Sequence, residues 1–272
     1  MNNPNLSIDT DRTIQILTDF IKSKLAEAGF SRAVIGLSGG IDSALSCALT
    51  VKAIGAENVL SVRMPYKTSS QVSLTHAQLL IEKLGVPSLT IPITEMADAF
   101  IALDPKMSKI RRGNIMARCR MIVLYDQSEA FGGLVMGTGN KTEILLGYTT
   151  IYGDSAAAIN PIGDLYKTQV RQLARALGVP EEIINKSPSA DLWTNQTDED
   201  ELGFSYDEVD RLFYLLVEHR YSMKELADAG FEESFVRNVV KRVRQNQFKR
   251  ELPPIAEVSG RTVDYSFLYF DN

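Results

Sequence analysis

Short apolar runs alternate with segments of helical periodicity along the first half of this chain. Residues 33–37 are apolar without a polar interruption, a pattern typical of a strand that is covered on both faces. Similar runs at 58–63, 88–93 and 133–137 are predicted strands, with helical patterns between them. Strands that alternate with helices join through right-handed crossovers into parallel sheets. The sequence therefore predicts an α/β fold with an open parallel β-sheet flanked by helices.

A predicted helix and a predicted loop further along the chain indicate how the chain assembles and where a functional site lies. The predicted helix over 113–131 contains an apolar stretch, 121–125, that covers more than one helical face. This pattern predicts burial on both sides, one of them against a second copy of the chain. Residues 187–205 are rich in acids and turn formers and predict a long loop, either a functional lid or a disordered segment. Helical patterns return at 206–217, and no repeat or boundary divides the chain, so residues 1–272 are predicted to form one domain with extra C-terminal helices.

Composition excludes several classes of protein. The chain has 29 basic and 34 acidic side chains, a net charge of −5, which argues against nucleic acid as the main partner. Cys47 and Cys119 lie far apart and His76 and His219 are the only histidines, so neither a disulfide framework nor a Cys/His metal site is expected. No stretch approaches the roughly 20 apolar residues of a membrane span, and the first residues do not resemble a signal peptide. The expected location is cytoplasmic, with no membrane partner.

The loop after the first predicted strand carries the clearest chemistry. Its residues are Gly36, Leu37, Ser38, Gly39, Gly40, Ile41, Asp42 and Ser43. Adjacent glycines allow successive backbone N–H groups to form an anion-binding nest, and the following helix adds its positive N-terminal end. Asp42 would repel a phosphate chain unless a cation lay between them, so Mg²⁺ is implied. The alternative is a glycine-rich turn that only lets strand and helix pack.

The pattern Ser-Gly-Gly-x-Asp-Ser resembles the loop of ATP enzymes that cleave between the α and β phosphates. That group includes GMP, asparagine and argininosuccinate synthetases, tRNA-modifying enzymes and NAD synthetases, and the loop alone does not choose among them. Further segments resemble NAD synthetases in the same order along nearly the whole chain. These segments are GNIMARCRM at 113–121, GTGNKTE at 137–143, NPIGDLYK at 160–167 and KSPSADL at 186–192.

The resemblance implies a Rossmann-like sheet and a set of ATP and metal contacts. ATP contacts outside the glycine loop would be Arg63, Thr138, Lys167 and Ser189. Mg²⁺ would be held by Asp42 and Glu143, whose carboxylates suit it chemically. Lys167 would neutralise charge on the departing pyrophosphate. Without the resemblance, Glu143 is better explained as a solvated first-turn acid favoured by the helix dipole, and Thr138 is equally an N-cap.

For a deamido-NAD substrate the resemblance implies contacts in the second half of the chain. The matching positions are Asn114, Arg118, Tyr125 and Lys249. Tyr125 could stack on the pyridine ring, or it could pack in a subunit interface. Asp154 is the candidate for holding ammonium or taking its proton. Three positions depart from many short members of the family: Ile151, Ala158 and Phe248 stand where those members carry lysine, an acid and histidine.

The implied reaction is ATP-dependent amide formation on deamido-NAD through an adenylate, releasing AMP and pyrophosphate. Glutamine-using relatives carry an additional amidase domain, for which residues 1–32 leave no room, so ammonia is the expected nitrogen donor. The family also implies a homodimer. A tRNA-modifying adenylating enzyme and a nucleotide sensor without turnover are the alternatives.

Overall fold

The computed structural model describes residues 5–189, 191–193, 197–251 and 253–258. Within them the chain forms a 4-stranded parallel sheet in the order β3-β2-β1-β4. The strands are β1 (Ala33–Gly36), β2 (Val59–Arg63), β3 (Ser88–Thr90) and β4 (Leu134–Met136). This architecture confirms the predicted α/β fold with an open parallel sheet.

Helices cover both faces of the sheet and extend beyond it. In chain order they are α1 (Thr10–Glu27), α2 (Ile41–Ile54), α3 (Gln71–Leu84), α4 (Thr94–Ile101), α5 (Lys109–Phe131), α6 (Lys141–Leu146), α7 (Lys167–Ala176), α8 (Glu181–Ile184), α9 (Asp198–Leu202), α10 (Tyr206–Phe213), α11 (Met223–Asp228) and α12 (Glu233–Gln245). A π-helical turn, Tyr214–Glu218, continues α10, and short 3₁₀ turns lie at Ala56–Asn58 and Gln247–Arg250.

The central strand β1 explains why the sheet is covered on both sides. Successive side chains of a strand point to opposite faces. Ile35 therefore joins the core formed with α1, α2 and α7, whereas Val34 joins the core formed with α4 and α5. The helices α6, α10 and α12 pack around a further cluster that includes Phe213 and Val239. This cluster holds the C-terminal helices beside the carboxyl end of the sheet.

The structure corrects several predicted boundaries. The fifth helix begins at Lys109 rather than at residue 113, because Ser108 caps it by accepting a hydrogen bond from the Arg111 N–H at 3.4 Å. The loop predicted over 187–205 contains the helix α9, and the helix predicted over 206–217 is α-helical only to Phe213. The third strand ends at Thr90, three residues before the end of the apolar run. Within the described ranges no helix is long and apolar enough to cross a membrane.

Candidate active site

A cavity of about 990 Å³ opens at the carboxyl ends of the strands. Its walls include the glycine loop after β1, Met64 after β2 and Thr138 after β4. Open parallel sheets bind ligands at this edge. Most of the residues predicted from sequence line this one space. They are Gly36, Leu37, Ser38, Gly40, Ile41, Asp42, Ser43, Asn114, Thr138, Glu143, Asp154, Lys167, Ser189 and Lys249.

The glycine loop is shaped by hydroxyl contacts and by one left-handed residue. Ser43 Oγ lies 3.3 Å from the Ser38 N–H that donates to it and 3.1 Å from Ser38 Oγ. Gly39 has a φ of 77°, and a Cβ there would lie 2.0 Å from the Ser73 carbonyl oxygen. Gly40 is the N-cap of α2 and has no side chain to occupy the N–H groups of the first turn. Those N–H groups are therefore available to an anion.

Two carboxylates and a lysine meet beside this loop. Lys167 Nζ donates to Asp42 Oδ2 at 2.6 Å and to Glu143 Oε1 at 3.0 Å. Asn140 holds both acids, since its side-chain amide donates to Asp42 Oδ1 at 2.8 Å and its oxygen accepts the Glu143 N–H at 3.0 Å. Lys167 is only 2% exposed, and its ammonium lies 4.8 Å from the centre of the Tyr206 ring.

Burial and charge oppose each other within this cluster. Burial disfavours the charged form of Lys167, but Asp42 and Glu143 outweigh it and raise the pKa of the lysine above its ordinary value. For Glu143 burial is the largest effect and raises the pKa of the carboxyl group, although Lys167 opposes the rise. The lysine therefore stays charged and compensates the acids.

The donor set fits a magnesium ion. The oxygens of Asp42 and Glu143 converge on one point, because both accept from the same ammonium. Carboxylate oxygens, completed by phosphate oxygens and water, are the ligands that Mg²⁺ takes in nucleotide sites. No group of three or more potential protein ligands occurs among the described residues. Asp42 and Glu143 would thus hold the ion only together with a nucleotide.

Asp154 organises a second set of polar groups in the cavity wall. Its Oδ1 accepts the Thr150 N–H at 2.7 Å, and the Thr150 hydroxyl donates to Asn114 Oδ1 at 2.8 Å. The carboxylate is open to solvent yet recessed in the cavity, and burial raises its pKa above the ordinary value. Lys249 lies nearby, with its ammonium donating to the carbonyls of Gly147 at 2.7 Å and Thr149 at 2.9 Å.

Four predicted site residues lie outside the cavity wall. Gly39, within the loop, packs against the backbone of α3. Arg63 donates to Gln78 Oε1 at 2.6 Å beside a separate space of about 370 Å³. Arg118 is exposed and binds the carbonyl of Ile151 at 3.2 Å. Tyr125 is 42% exposed on the outer face of α5.

The three positions that depart from other short family members also lie off the described cavity wall. Ile151 contributes the backbone carbonyl that Arg118 binds. Ala158 donates its N–H to the Val135 carbonyl at 2.9 Å, and Phe248 is 61% exposed. Their side chains therefore take no part in forming the cavity.

The structure adds cavity residues that sequence reasoning missed. Arg120 Nε donates to the Met64 carbonyl at 3.1 Å, and its guanidinium lines the cavity. Asp198, from the loop predicted over 187–205, is buried and accepts from the hydroxyls of Tyr206 at 3.1 Å and Tyr148 at 3.3 Å. The helical period, counted from Asn114, could have predicted which face of α5 lines the cavity. Only packing shows that Arg120 rather than Arg118 faces inward.

An open parallel sheet, an N–H-lined loop at its carboxyl edge and paired acids beside that loop define a nucleotide-binding α/β protein. The model of the NAD synthase family matches residues 13–253. The chain belongs to this family.

Individual relatives agree over nearly full lengths. The NH(3)-dependent NAD(+) synthetase of Chlorobaculum tepidum is 51% identical over 269 residues, which cover 99% of this chain and 97% of that protein. That of Trichlorobacter lovleyi is 53% identical over 264 residues, 97% of each chain.

Solved structures share the fold. The NMN synthetase from Francisella tularensis is similar with a TM-score of 0.82 and 31% identity, covering 92% of this chain and 99% of that one. The NH3-dependent NAD synthetase from Campylobacter jejuni is similar with a TM-score of 0.79 and 35% identity, covering 92% of this chain and 100% of that one.

Proposed function

We propose that this chain is a ligase that uses ATP to amidate deamido-NAD with ammonia, giving NAD, AMP and pyrophosphate. The observation that carries the proposal is one cavity whose wall holds two sets of polar groups. The first set is the glycine loop with Asp42, Glu143 and Lys167, and the second is Asp154, Asn114 and Lys249. The relatives named NH(3)-dependent NAD(+) synthetase support ammonia as the nitrogen donor.

The first step activates the carboxylate, which ammonia cannot displace directly because the leaving group would be oxide. The nicotinate carboxylate of deamido-NAD attacks the α-phosphorus of ATP, an O–P bond forms, and pyrophosphate leaves with the electrons of the broken bond. The N–H groups of the glycine loop bind the phosphates, and Asp42 and Glu143 would hold Mg²⁺. The ion, when bound, neutralises charge that develops on the phosphate oxygens.

The second step forms the amide. Ammonia attacks the carbonyl carbon of the adenylate, the C–O bond breaks with its electron pair passing to AMP, and the nitrogen releases one proton to solvent as the amide forms. Only the neutral amine is a nucleophile, so ammonium must first lose a proton. Asp154 takes this proton in the proposal, and its raised pKa is suited to a base working nearer neutrality than an ordinary aspartate.

Assembly and location belong to the same proposal. A homodimer is supported by large apolar side chains that α4, α5 and the segment between them leave exposed. These include Phe100, Leu103, Ile110, Ile122 and Tyr125. A cytoplasmic location is supported by the two free cysteines, which are typical of a reducing compartment.

The test is a product analysis of the purified protein with ATP, Mg²⁺, ammonium and deamido-NAD. The expected products are NAD, AMP and pyrophosphate, with no activity when glutamine replaces ammonium. Parallel reactions with nicotinate mononucleotide examine the substrate suggested by the name of the Francisella protein. Asp42→Asn should lose most activity, whereas Asp228→Asn, an exposed acid of α11, should retain it. Formation of ADP, or failure to amidate deamido-NAD, would overturn the proposal.

A further inference from the structure

Lys186 lies in the wall of the cavity that also contains the glycine loop. Its side chain is half-buried and lines the cavity, together with Ser187 and Ser189 further along the chain. Its Nζ donates to Ser73 Oγ, on the first turn of α3, at 2.7 Å. The lysine therefore links this part of the chain to the helix beside the loop.

The ammonium of Lys186 has no compensating carboxylate in an ion pair within the described part of the chain. Burial lowers its pKa, and Asp191 opposes that effect only from a distance. The Asp191 carboxylate is itself occupied by the Ser70 N–H, at 3.0 and 3.2 Å from its two oxygens. Lys167 differs, because two acids already neutralise it. A half-buried cation that lines a cavity and has no ion pair with a described acid is suited to binding an anionic ligand.

The partner of Lys186 also touches the glycine loop. A Cβ on Gly39 would lie 2.0 Å from the Ser73 carbonyl oxygen, so the backbones of the loop and α3 are in direct contact there. His76, one turn further along α3, contacts the backbone of Gly39. Burial lowers the pKa of His76, and the charge of Lys186 lowers it further. The Lys186 charge is thus adjacent to the loop, on the side facing α3.

We propose that Lys186 binds the β and γ phosphates of ATP and holds the pyrophosphate after it separates. This inference rests on the proposed function, since it assumes a triphosphate on the glycine loop. Asp42 lies in the first turn of α2, with Glu143 of α6 and Lys167 of α7 beside it, and these groups would meet the phosphate nearest the metal. Lys186 reaches the same loop through its contact with Ser73 of α3, where the proposal places the outer phosphates.

The experiment compares binding of magnesium pyrophosphate, ATP and AMP to the full chain by titration calorimetry. Lys186→Met should weaken binding of pyrophosphate and ATP by about 10- to 100-fold, the effect of losing a charged hydrogen bond. AMP, which lacks the outer phosphates, should bind within about twofold of wild type on the same reasoning. Lys186→Arg should restore part of the affinity. Lys22→Met, an exposed lysine of α1, is the matched control.

Kinetics give a second measurement. Product inhibition by pyrophosphate against ATP should weaken in Lys186→Met by the same factor as binding, with KM for ATP rising more than kcat falls. Lys186→Gln serves if the methionine variant does not fold.

The outcomes separate the two proposals. Unchanged pyrophosphate affinity in Lys186→Met overturns the assignment while the proposed reaction stands. An equal loss of AMP binding also overturns it, because Lys186 would then only hold the fold of the site. Wild-type protein that binds pyrophosphate through Lys186 but forms no NAD contradicts the proposed reaction and leaves the assignment. Wild-type protein that binds neither ATP nor pyrophosphate contradicts both.

Discussion

At the scale of single residues, Lys167 is central to the site. Its ammonium occupies the point on which the oxygens of Asp42 and Glu143 converge, which is where a divalent cation would be held. Without a cation at this point two largely buried carboxylates would repel each other. The lysine therefore stabilises the site in the absence of metal.

Replacing Lys167 by methionine tests this compensation. We expect Lys167→Met to lower the free energy of unfolding by about 3–5 kcal/mol without divalent cations, because breaking a buried ion pair leaves its acids uncompensated. Added Mg²⁺ should recover part of the loss by supplying the missing positive charge. Urea unfolding with and without Mg²⁺ measures both effects.

The controls for this prediction are a second-site change and a surface change. The double variant with Glu143→Gln and Lys167→Met should lose less stability than the sum of the losses in the two single variants. In the double variant Asp42 keeps its charge but residue 143 does not, so the repulsion between these two side chains is removed. Lys22→Met should leave stability unchanged. A Lys167→Met protein as stable as wild type without Mg²⁺ would contradict the account.

The cysteines have no comparable role in the site. Cys47 and Cys119 are both free and buried. Burial raises the pKa of Cys47 to about 12 and also raises that of Cys119, so neither thiol ionises near neutral pH. Both therefore act as packing residues, because the thiolate is the reactive form of cysteine.

At the scale of elements, the contact between the glycine loop and α3 shapes the candidate phosphate site. Gly39 needs a positive φ, and the Ser73 backbone leaves no space for a Cβ. Gly39→Ala should therefore separate the loop from α3, weaken ATP binding by at least about tenfold, and destabilise the protein by more than the roughly 1–2 kcal/mol of left-handed strain alone.

Gly29 provides the matched comparison for that variant. Its φ is 78°, nearly that of Gly39, but nothing lies within 4 Å of an added Cβ. Gly29→Ala should show only the strain and bind ATP normally, as measured by calorimetry and urea unfolding. Equal effects of the two alanines on ATP binding would show that the contact with Ser73 is irrelevant.

The acidic helix α9 also has a local explanation. Its first turn holds Asp198, Glu199, Asp200 and Glu201, where carboxylates interact favourably with the helix dipole. Thr197 caps the helix by accepting the Asp200 N–H at 3.2 Å. Asp198 then reaches the cavity wall, where the Tyr206 hydroxyl donates to it. The acidic residues of this segment thus stabilise the start of a helix, and one of them, Asp198, is buried.

At the scale of the whole molecule, the exposed apolar side chains of α4 and α5 favour the proposed homodimer. We expect Ile122→Asp to convert the dimer into a monomer, because a carboxylate in an apolar interface would lose its hydration. Sedimentation velocity at micromolar concentration measures the change. Ile16→Asp, at a similarly exposed position on α1, should remain dimeric. A wild-type protein that sediments as a monomer would exclude the dimer.

Local patterns in the amino-acid sequence were enough to predict the elements and the type of loop. Periodicity, glycine positions and caps act between near neighbours, so they predicted the parallel α/β sheet and the phosphate nest between β1 and α2. The prediction that residues 1–272 form one domain stays a prediction. Boundaries such as the start of α5 at Lys109 were wrong by a turn, because capping by Ser108 outweighed the polar character of the segment.

Which side chains meet depends on packing between distant parts of the chain. Lys167 is 125 residues from Asp42 along the chain, and Lys186 is 113 residues from Ser73. Their contacts depend on how α7 and the segment after α8 pack against the sheet, and local sequence patterns do not encode such distances. The same packing turns Arg120 into the cavity and leaves Arg118 outside. Chemistry that depends on separated residues is therefore set by the fold as a whole.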